Sequence, residues 1–504
     1  MRSIGCGVVL LLLSCLVAIA ADGPPPARAE NGRPCFTVVT KESGLEQIVK
    51  DKYAASPKWW LSGLHLVDLD GDGKLDLFLS AHGGGGAVAA LGDGGGHFVL
   101  APGNWPSTEI HLAYDFDEDG KVDLSMTYQD GGGQWWRNRS RPGLLDFQAT
   151  GITRGTNTAR RQAMIDINRD GQADWLRGSS GGIYFDLADG RGGFAQGSPA
   201  LPLKGLGQAE LLCLPADIDG DGQIDLLGEW GHYSSPQGNS RIWRNDGKMN
   251  FSDITAAAGL PASGVSIKGI GDVNQDGFSD LICIENKRLE IYLGDGSGKF
   301  KKKEGALSGG QGGINAPSWG VAVVTDFDND GIADIIVNGR HFLKVFRGTG
   351  GGNFTWMNQA WGIKDVSAAS VDDGLCFGDI DGDGALDIIG YTTIGDRREI
   401  AVYRNDLPKR HWINVRPIGR PGNRGAAGAK IRIYAPGTKQ LLWYEQVAIY
   451  CSQAAASYYA YGETERHFGL GQRNAADVSV EFYPSGKVVW QRGAAADATV
   501  RIQE

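Results

Sequence analysis

A nine-residue pattern of aspartates recurs along the chain and restricts the possible folds more than any other feature. The pattern is D-x-[DN]-x-D-G-x-x-D, and successive copies begin 47, 51, 51, 55, 54 and 53 residues apart. Such regular spacing indicates a structural repeat of about 52 residues, with one unit for each copy. The seven copies begin at Asp68, Asp115, Asp166, Asp217, Asp272, Asp326 and Asp379.

Each copy has the character of a tight loop that joins two strands. Position six is Gly in all seven copies, and Gly adopts the positive φ of a sharply curled loop at the lowest cost. The flanks of the first copy, LHLVDLDGDGKLDLFLS, alternate apolar and β-branched residues as strands do. An EF-hand is excluded because that motif requires Glu at position twelve, and no copy has an acidic residue there.

The carboxylates of each loop indicate a bound cation. Several uncompensated carboxylates within one short loop would repel one another by several kcal/mol at a moderate dielectric. An oxygen-only donor set, without His or Cys, favours calcium over zinc, and a flexible mix of carboxylates and a backbone carbonyl suits calcium better than magnesium. The sequence therefore predicts seven structural Ca2+ sites, with seven solvated acidic turns as the alternative.

Each repeat also contains the strands of one propeller blade. A third strand such as EIYLGDGSG ends in a hairpin turn, and a fourth opens with Phe in six repeats. Four strands in each of seven repeats predict an all-β fold, a seven-bladed β-propeller, with an open β-solenoid as the alternative. The six phenylalanines are Phe98, Phe147, Phe194, Phe251, Phe300 and Phe354.

The start of the repeat region predicts how the ring closes. The segment FTVVTKESGL at 36–45 parallels FSDITAAAGL at 251–260, which is the fourth strand of a repeat and the run after it. The earlier segment precedes the first acidic loop and belongs to no complete upstream repeat. We therefore expect it to pair with EIAVYRND at 399–406 as the outer strand of the last blade, so that no sheet edge stays unpaired.

The first residues have the character of a targeting segment. One charge, Arg2, precedes an apolar run from Ile4 to Leu16, which predicts a signal peptide over residues 1–20 and a linker over 21–34. An uncleaved signal anchor and a lipoprotein modified at Cys15 are the alternatives. We expect a secreted protein, extracellular or periplasmic, that does not insert into a membrane after cleavage.

The chain divides into two regions of different composition. The repeats occupy residues 35–407, whereas residues 408–504 carry 13 Lys and Arg against 7 Asp and Glu. Residues 3–407 have a net charge of −17, so the second region is basic and the first acidic. Strand-like runs such as AKIRIYA and DVSVEFY predict a small C-terminal β-sandwich or barrel domain.

The aspartate repeats resemble the FG-GAP (VCBS) repeat family, the propeller repeats of integrin α-subunits and many secreted bacterial proteins. The resemblance implies calcium binding by loop positions one, three, five and nine and by the main-chain carbonyl of position seven. Asn168 and Asn274 replace Asp at position three, and we expect their two sites to bind calcium most weakly. The implied ligands are Asp68, Asp70, Asp72, Lys74 and Asp76; Asp115, Asp117, Asp119, Lys121 and Asp123; Asp166, Asn168, Asp170, Gln172 and Asp174; Asp217, Asp219, Asp221, Gln223 and Asp225; Asp272, Asn274, Asp276, Phe278 and Asp280; Asp326, Asp328, Asp330, Ile332 and Asp334; and Asp379, Asp381, Asp383, Ala385 and Asp387.

The C-terminal region resembles the ASPIC/UnbV domain. The similarity rests on NRGAAGAKIRIY at 423–434, YCSQ at 450–453, HFGLG at 467–471 and YPSGK at 483–487. Tyr483 stands where this domain usually has Trp. The combination is typical of proteins similar to the cartilage acidic protein family and of many bacterial secreted chains.

The connections at the end of the propeller opposite the acidic loops predict a ligand face. They are rich in aromatic and cationic residues, which suit a protein or glycan ligand, although any one ring could instead fill the core. The candidate ligand-face residues are Trp60, Trp105, Tyr128, Trp230, His232, Tyr233, Trp319, Arg340, His341, Tyr391 and Arg397.

Three functions are compatible with the sequence. The first is a non-enzymatic extracellular scaffold for binding or cell adhesion, with structural calcium. The second is a polysaccharide-active enzyme such as a lyase or dehydratase, and the third is an accessory protein of envelope or metabolite assembly. The absence of a convergent His/Tyr/Glu set favours the first function, because fold alone does not decide between the three. We therefore expect no catalytic residues and no nucleic-acid partner.

Overall fold

The computed structural model describes residues 35–55, 60–82, 86–106, 109–127, 133–154, 161–179, 182–195, 197, 199–202, 212–232, 235–309, 320–339, 342–363, 374–394, 397–451 and 465–504. Within these residues the protein is nearly all β, which confirms the predicted all-β class. The predicted signal peptide and linker lie outside the described residues.

Consecutive strands of each repeat pair in antiparallel order, and the acidic loop always joins the first strand to the second. Before the first complete repeat come β1 (Phe36–Val38) and α1 (Leu45–Tyr53). Repeat 1 contains β2 (Trp60–Val67), β3 (Asp76–His82), β4 (Val88–Gly92) and β5 (Phe98–Leu100), followed by β6 (Gly103–Asn104). Repeat 2 contains β7 (Glu109–Tyr114), β8 (Asp123–Thr127), β9 (Gly133–Asn138) and β10 (Leu145–Arg154). Repeat 3 contains β11 (Arg161–Ile165), β12 (Asp174–Ser179), β13 (Gly182–Asp186) and β14 (Pro199–Pro202).

The later repeats follow the same order, and a short parallel pair makes the sheets of repeats 4 and 5 continuous. Repeat 4 contains β15 (Leu212–Ala216), β16 (Asp225–His232), β17 (Ser235–Asn245) and β18 (Phe251–Asp253). Repeat 5 contains β19 (Val265–Gly271), β20 (Asp280–Glu285), β21 (Arg288–Gly294) and β22 (Phe300–Lys302), followed by β23 (Leu307–Ser308). Repeat 6 contains β24 (Gly320–Thr325), β25 (Asp334–Gly339), β26 (Phe342–Gly350) and β27 (Asn353–Trp356), followed by α2 (Asn358–Trp361). Repeat 7 contains β28 (Gly374–Gly378), β29 (Asp387–Ile394) and β30 (Arg397–Asn405).

The first strand of the chain completes the last repeat. β1 pairs antiparallel with β30, with Phe36 opposite Asn405 and Val38 opposite Tyr403. This pairing confirms the ring closure predicted from the sequence. Leu64 and Leu66 of repeat 1 pack in one apolar cluster with Cys376 and Ile389 of repeat 7, so the closure is also packed through side chains.

The repeats bury large aromatic side chains where neighbouring sheets pack. Trp175 and Trp243 are buried in strands, as expected for core residues. Phe194 differs from the prediction because it forms an isolated bridge with Ala188 and lies before β14. Its ring packs 5.7 Å from that of Trp175 and 6.1 Å from that of Trp135, so aromatic packing determines its place.

The C-terminal region forms two sheets that share one apolar core. Strands β35, β31 and β38 form one sheet, and β33, β32, β36 and β37 form the other. Their buried side chains belong to a single cluster that also includes core residues of the repeats, and the two sheets agree with the predicted C-terminal β-sandwich or barrel. A remaining strand leaves the domain and pairs with β11 of repeat 3. The strands are β31 (His411–Ile418), β32 (Lys430–Tyr434), β33 (Leu441–Gln446), β34 (Ile449–Cys451), β35 (Arg466–Gly471), β36 (Ala475–Glu481), β37 (Val488–Ala495) and β38 (Ala498–Gln503).

Candidate metal centre

The acidic loops close on themselves through the same hydrogen bonds in all seven repeats. The N–H of the position-six glycine donates to the position-one aspartate, at 2.9 Å for Gly73 and Asp68 and at 2.7 to 3.2 Å in the other repeats. The position-seven N–H donates to the position-five aspartate at 2.8 to 3.0 Å. The seven position-six glycines have φ values between 78° and 94°. The loop therefore requires the positive φ that its invariant glycine indicated.

The position-nine aspartate ties each loop to the third strand of its repeat. In repeat 1, Asp76 accepts hydrogen bonds from Leu69 N at 2.8 Å and from Gly92 N at 2.9 Å. The equivalent pair of bonds is present in the other six repeats. One buried carboxylate thus connects the first, second and third strands. Removing it would leave two buried backbone donors unsatisfied.

Positions one, three and nine bring carboxylate oxygens together in five of the loops. Within each group, one oxygen from each of three aspartates lies within 4.8 Å of the others. This spacing and this donor type suit a hard divalent cation. The position-five aspartates bind the backbone of their own loop instead. The groups are Asp68, Asp70 and Asp76; Asp115, Asp117 and Asp123; Asp217, Asp219 and Asp225; Asp326, Asp328 and Asp334; and Asp379, Asp381 and Asp387.

The two loops with Asn at position three are built differently. The amide groups of Asn168 and Asn274 donate to Asp170 at 3.0 Å and to Asp276 at 2.8 Å. Each Asn oxygen accepts the position-five N–H, at 2.9 and 3.1 Å. One negative charge is missing from each loop, and the remaining amide is already engaged. Weak metal binding in these two repeats stays a prediction.

Burial raises the pKa of the position-nine aspartates. The pKa rises to about 7 for Asp76, to about 9 for Asp123 and to about 8 for Asp280, because desolvation disfavours the charged form and nearby carboxylates add to it. The pKa values of Asp174 and Asp225 also rise to about 7, mainly through burial. Without a cation these groups bind protons near neutral pH, so a divalent ion and protons compete for the same oxygens.

Two unpartnered oxygens show that the loops fit a cation. Asp117 Oδ1 and Asp381 Oδ1 are buried and have no hydrogen-bond partner, although both belong to convergent carboxylate groups. A buried carboxylate oxygen without a partner carries a free-energy cost that a cation would remove. The position-one, position-three and position-nine residues would hold calcium, and the ion would supply only charge neutralisation and cross-linking of the strands.

The C-terminal domain lies on the acidic loops, mainly through residues at loop position four. This position is Gly71, Gly220 and Gly382 in three loops, whereas the other four loops carry side chains there at φ values of 54° to 63°. A left-handed residue other than Gly costs about 1–2 kcal/mol. These four residues each contact the C-terminal domain, which gives a reason for the strain. They are Glu118, Arg169, Gln275 and Asn329.

The position-four contacts are polar and specific. Glu118 Oε1 accepts the N–H of Gly422 at 2.5 Å, and Gln275 Nε2 donates to the carbonyl of Leu442 at 2.5 Å. Arg169 donates to the carbonyl of Pro484 at 3.4 Å.

The fourth contact is a buried one. His467 Nε2 lies 2.7 Å from Asn329 Oδ1. Its Nδ1 lies 3.0 Å from Asn414 Oδ1, and burial lowers the pKa of His467 to about 3, so the ring is neutral.

Further contacts join the basic domain to the acidic end of the repeats. Lys430 Nζ lies 2.7 Å from Asp217 Oδ2, and Gln446 Oε1 accepts the N–H of Asp217 at 3.0 Å. A Cβ atom on Gly384 would lie 1.8 Å from Trp412 Nε1, so that loop approaches the domain closely. The acidic loops are therefore both a candidate metal centre and the docking surface of the second domain. This docking was not predicted from the sequence.

Five of the candidate ligand-face residues lie in strands that the structure describes. Trp60, Trp230, His232, Tyr391 and Arg397 lie in strands at or near the ends opposite the acidic loops. Trp105 instead packs, half-buried, against the apolar core of repeats 1 and 2. The remaining candidates lie outside the described residues: Tyr128, Tyr233, Trp319, Arg340 and His341.

The fold and the loops together define an all-β repeat protein of the propeller class with a C-terminal β domain. The family model described as FG-GAP-like repeat matches residues 115–177, 272–337 and 326–390. The family model described as ASPIC and UnbV matches residues 419–504. The chain thus carries FG-GAP-like repeats followed by an ASPIC and UnbV domain.

The chain is distantly related to curated proteins from mammals. Cartilage acidic protein 1 of Mus musculus is 26% identical over 268 residues, which covers 49% of this chain and 38% of that protein. Cartilage acidic protein 1 of Homo sapiens is 28% identical over 263 residues, covering 49% and 37%. The matches thus span less than two fifths of these relatives.

The chain is also similar in structure to a solved lectin. The Agrocybe aegerita lectin, solved for its recognition of non-reducing terminal N-acetylglucosamine, has a TM-score of 0.42 and 16% identity, and the match covers 82% of this chain and 96% of the lectin chain. Across the described residues, each helix is too short or too polar to cross a membrane.

Proposed function

We propose that this protein is a secreted calcium-binding propeller scaffold that binds an extracellular protein or glycan. The observation that carries the proposal is the convergence of position-one, position-three and position-nine carboxylates in five loops. FG-GAP-like repeats, which are typical of extracellular binding proteins, support it.

Calcium has a structural role in this proposal. The position-nine aspartate already links three strands through backbone hydrogen bonds, and Asp76 does so while nearly fully buried. An ion at the loop neutralises this carboxylate and joins it to positions one and three. The loops then keep one shape, and the C-terminal domain has a fixed surface on which to dock.

The docked domain directs ligand binding to the opposite end of the propeller. The position-four contacts cover several acidic loops, whereas Trp60, Trp230, His232, Tyr391 and Arg397 lie towards the other strand ends. Rigid aromatic side chains next to cationic donors suit glycans and protein surfaces. This end is the proposed site of ligand binding.

An array experiment tests the proposed activity. The calcium-loaded full chain is applied to glycan and extracellular-protein arrays, and each glycan that binds is also assayed for unsaturated sugar products. The scaffold proposal expects saturable binding without turnover, reduced at least tenfold by Trp60→Ala or Arg397→Ala. Lys74→Ala, at the acidic end, is the matched control and should bind normally.

The outcomes separate the functions that the sequence left open. Turnover of any glycan would overturn the scaffold proposal in favour of a polysaccharide-active enzyme. Failure to bind any protein or glycan would also contradict it and would favour an accessory role in assembly. If Lys74→Ala abolishes binding and Trp60→Ala does not, the ligand binds at the acidic end of the propeller and the proposed binding site is wrong.

A further inference from the structure

One residue at the end of the third strand of each repeat, or directly after it, has the same place relative to the acidic loop. We call this the facing position, and it directly precedes the residue whose N–H binds the position-nine aspartate. Three repeats have Leu there and four have Arg. The facing residues are Leu91, Arg137, Leu187, Arg244, Leu293, Arg347 and Arg404.

Three of the four arginines reach the position-three aspartate of their own loop. Arg137 pairs with Asp117 in repeat 2. Arg244 lies 2.7 Å from Asp219 in repeat 4. Arg404 behaves differently, because its Nε lies 2.9 Å from Asp406, outside the loop.

Repeat 6 has the most deeply buried of these ion pairs. Arg347 Nε lies 2.7 Å from Asp328 Oδ2, and its Nη2 pairs with Asp330. The Arg347 side chain is 3% exposed. Arg410, which follows the last repeat, places Nη1 3.2 Å from the same Asp328 oxygen. Two guanidinium groups thus share the carboxylate that a cation at this loop would need.

Repeat 4 has an equivalent pair of cations. Arg244 contacts Asp219 at position three, and Lys430 of the C-terminal domain contacts Asp217 at position one. Asp217 is nearly fully buried, so the contact with Lys430 is only weakly screened by water. Repeats 4 and 6 therefore each combine one cation from the third strand with one from the residues after the repeats.

Repeats 1 and 7 contrast with these two loops. Leu91 occupies the facing position of repeat 1. In repeat 7, Arg404 pairs with Asp406 outside the loop, and its charge acts on Asp381 without forming an ion pair. Among the described residues, no cationic side chain forms an ion pair with the position-one, position-three or position-nine aspartates of these two loops. The three convergent aspartates of each of these loops carry no such ion pair, and Asp381 Oδ1 in repeat 7 is unpartnered.

We propose that the protein's own cations grade the metal affinity of the loops, so that repeats 1 and 7 bind calcium tightly and repeats 4 and 6 bind it weakly. This inference rests on the proposed calcium binding. A calcium ion in repeat 6 must displace Arg347 and Arg410 from Asp328 or tolerate their repulsion. A cation fixed beside a site lowers the affinity for a second cation because like charges repel.

The test replaces the facing arginine with the residue that three other repeats use. Equilibrium dialysis of the full chain measures the calcium bound at limiting free calcium for wild type, Arg347→Leu and Arg347→Leu/Arg410→Gln. We expect one additional ion per double-variant chain and at least a tenfold gain in affinity at that site, about 1.4 kcal/mol. The single variant should show a smaller gain.

Two variants serve as controls. Arg404→Leu makes the same change at the same strand position, and we expect a much smaller change in bound calcium because the direct ion pair of Arg404 is with Asp406, outside the loop. Leu91→Arg adds the facing cation to repeat 1 and should remove about one tightly bound ion per chain. Equal effects of Arg347→Leu and Arg404→Leu, or no effect of either, would overturn the inference.

A second measurement applies if a variant does not fold, and it distinguishes the graded affinity of the loops from calcium binding itself. If Arg347→Leu fails to fold, Arg410→Gln alone changes a more accessible cation, and its calcium-induced rise in melting temperature should still exceed that of wild type. An unchanged or smaller rise would overturn the inference. If wild type and all variants bind no calcium even at millimolar concentration, the proposed calcium binding itself is wrong.

Discussion

The docking of the C-terminal domain on the acidic loops can be tested with two glycine substitutions that differ in one respect. Gly384 and Gly73 both occupy loop position six, at φ values of 88° and 86°. An alanine at either position pays the same cost of a left-handed residue, about 1–2 kcal/mol. A Cβ on Gly73 meets nothing within 4 Å, whereas a Cβ on Gly384 would lie 1.8 Å from Trp412 Nε1.

The structure gives the size of the difference. Ordinary contact with a Cβ begins near 3.4 Å, so the Trp412 ring must retreat by about 1.6 Å. Overpacking of this kind costs about 1–3 kcal/mol. The ring also stacks on His467 at 5.9 Å, and His467 is hydrogen-bonded to Asn329, so movement of the Trp412 ring disturbs the buried interdomain bond.

Thermal unfolding in saturating calcium and limited proteolysis near residue 408 provide the measurements. Gly73→Ala should lower stability modestly and leave proteolysis unchanged, whereas Gly384→Ala should cost about 1–3 kcal/mol more and expose the domain junction. Trp412→Ala should cost less in the Gly384→Ala background than alone, because it removes the clash. Equal behaviour of the two glycine variants would refute the docking geometry.

Four further predictions concern metal, pH and ring closure. Chelation with EGTA should lower the melting temperature. The metal-free protein should lose stability as pH rises from about 4 to 9, because raised pKa values such as about 9 for Asp123 mean that the folded state favours the protonated carboxyl. Stability that rises over this pH range would contradict this second prediction. Calcium binding near pH 7 should release protons, because Asp123 and Asp280 have pKa values of about 9 and 8 without metal. Calorimetry in buffers of different ionisation enthalpy measures the number of protons released. Identical binding heats in all buffers would count against proton release. Phe36→Ala should lower the free energy of unfolding by about 3–5 kcal/mol, because it removes a buried ring from the closing strand. Val38→Ala, in the same strand but 47% exposed, should have little effect on the melting temperature. Similar losses of stability in both variants would contradict the role of β1.

The sequence predicts the features that each repeat contains within itself. Position six is Gly in every loop, where its φ is 78° to 94°, and the alternation of apolar residues marks the flanking strands. The closure of β1 onto β30 was also predictable, because residues 36–45 resemble the fourth strand of another repeat. Repetition makes these features visible, since each copy independently supports the same interpretation.

The contacts between distant parts of the chain could not be predicted in the same way. Asn329 meets His467, and Asp328 meets Arg410, only after both regions have folded. The third-strand partner of the position-nine aspartate follows it by 14 residues in repeat 3 and by 20 in repeat 4, so no fixed spacing reveals it. Two signals were present: the basic composition of residues 408–504, and side chains in place of Gly at position four of four loops.

Anomalous diffraction tests the central claim, that the acidic loops are cages for calcium, most directly. Crystals of the full chain grown in millimolar calcium would be measured at a wavelength where calcium scatters anomalously. We expect peaks enclosed by the position-one, position-three and position-nine aspartates, strongest at Asp68, Asp70 and Asp76 and at Asp379, Asp381 and Asp387. Ordered loops without any anomalous peak among these carboxylates would contradict the account.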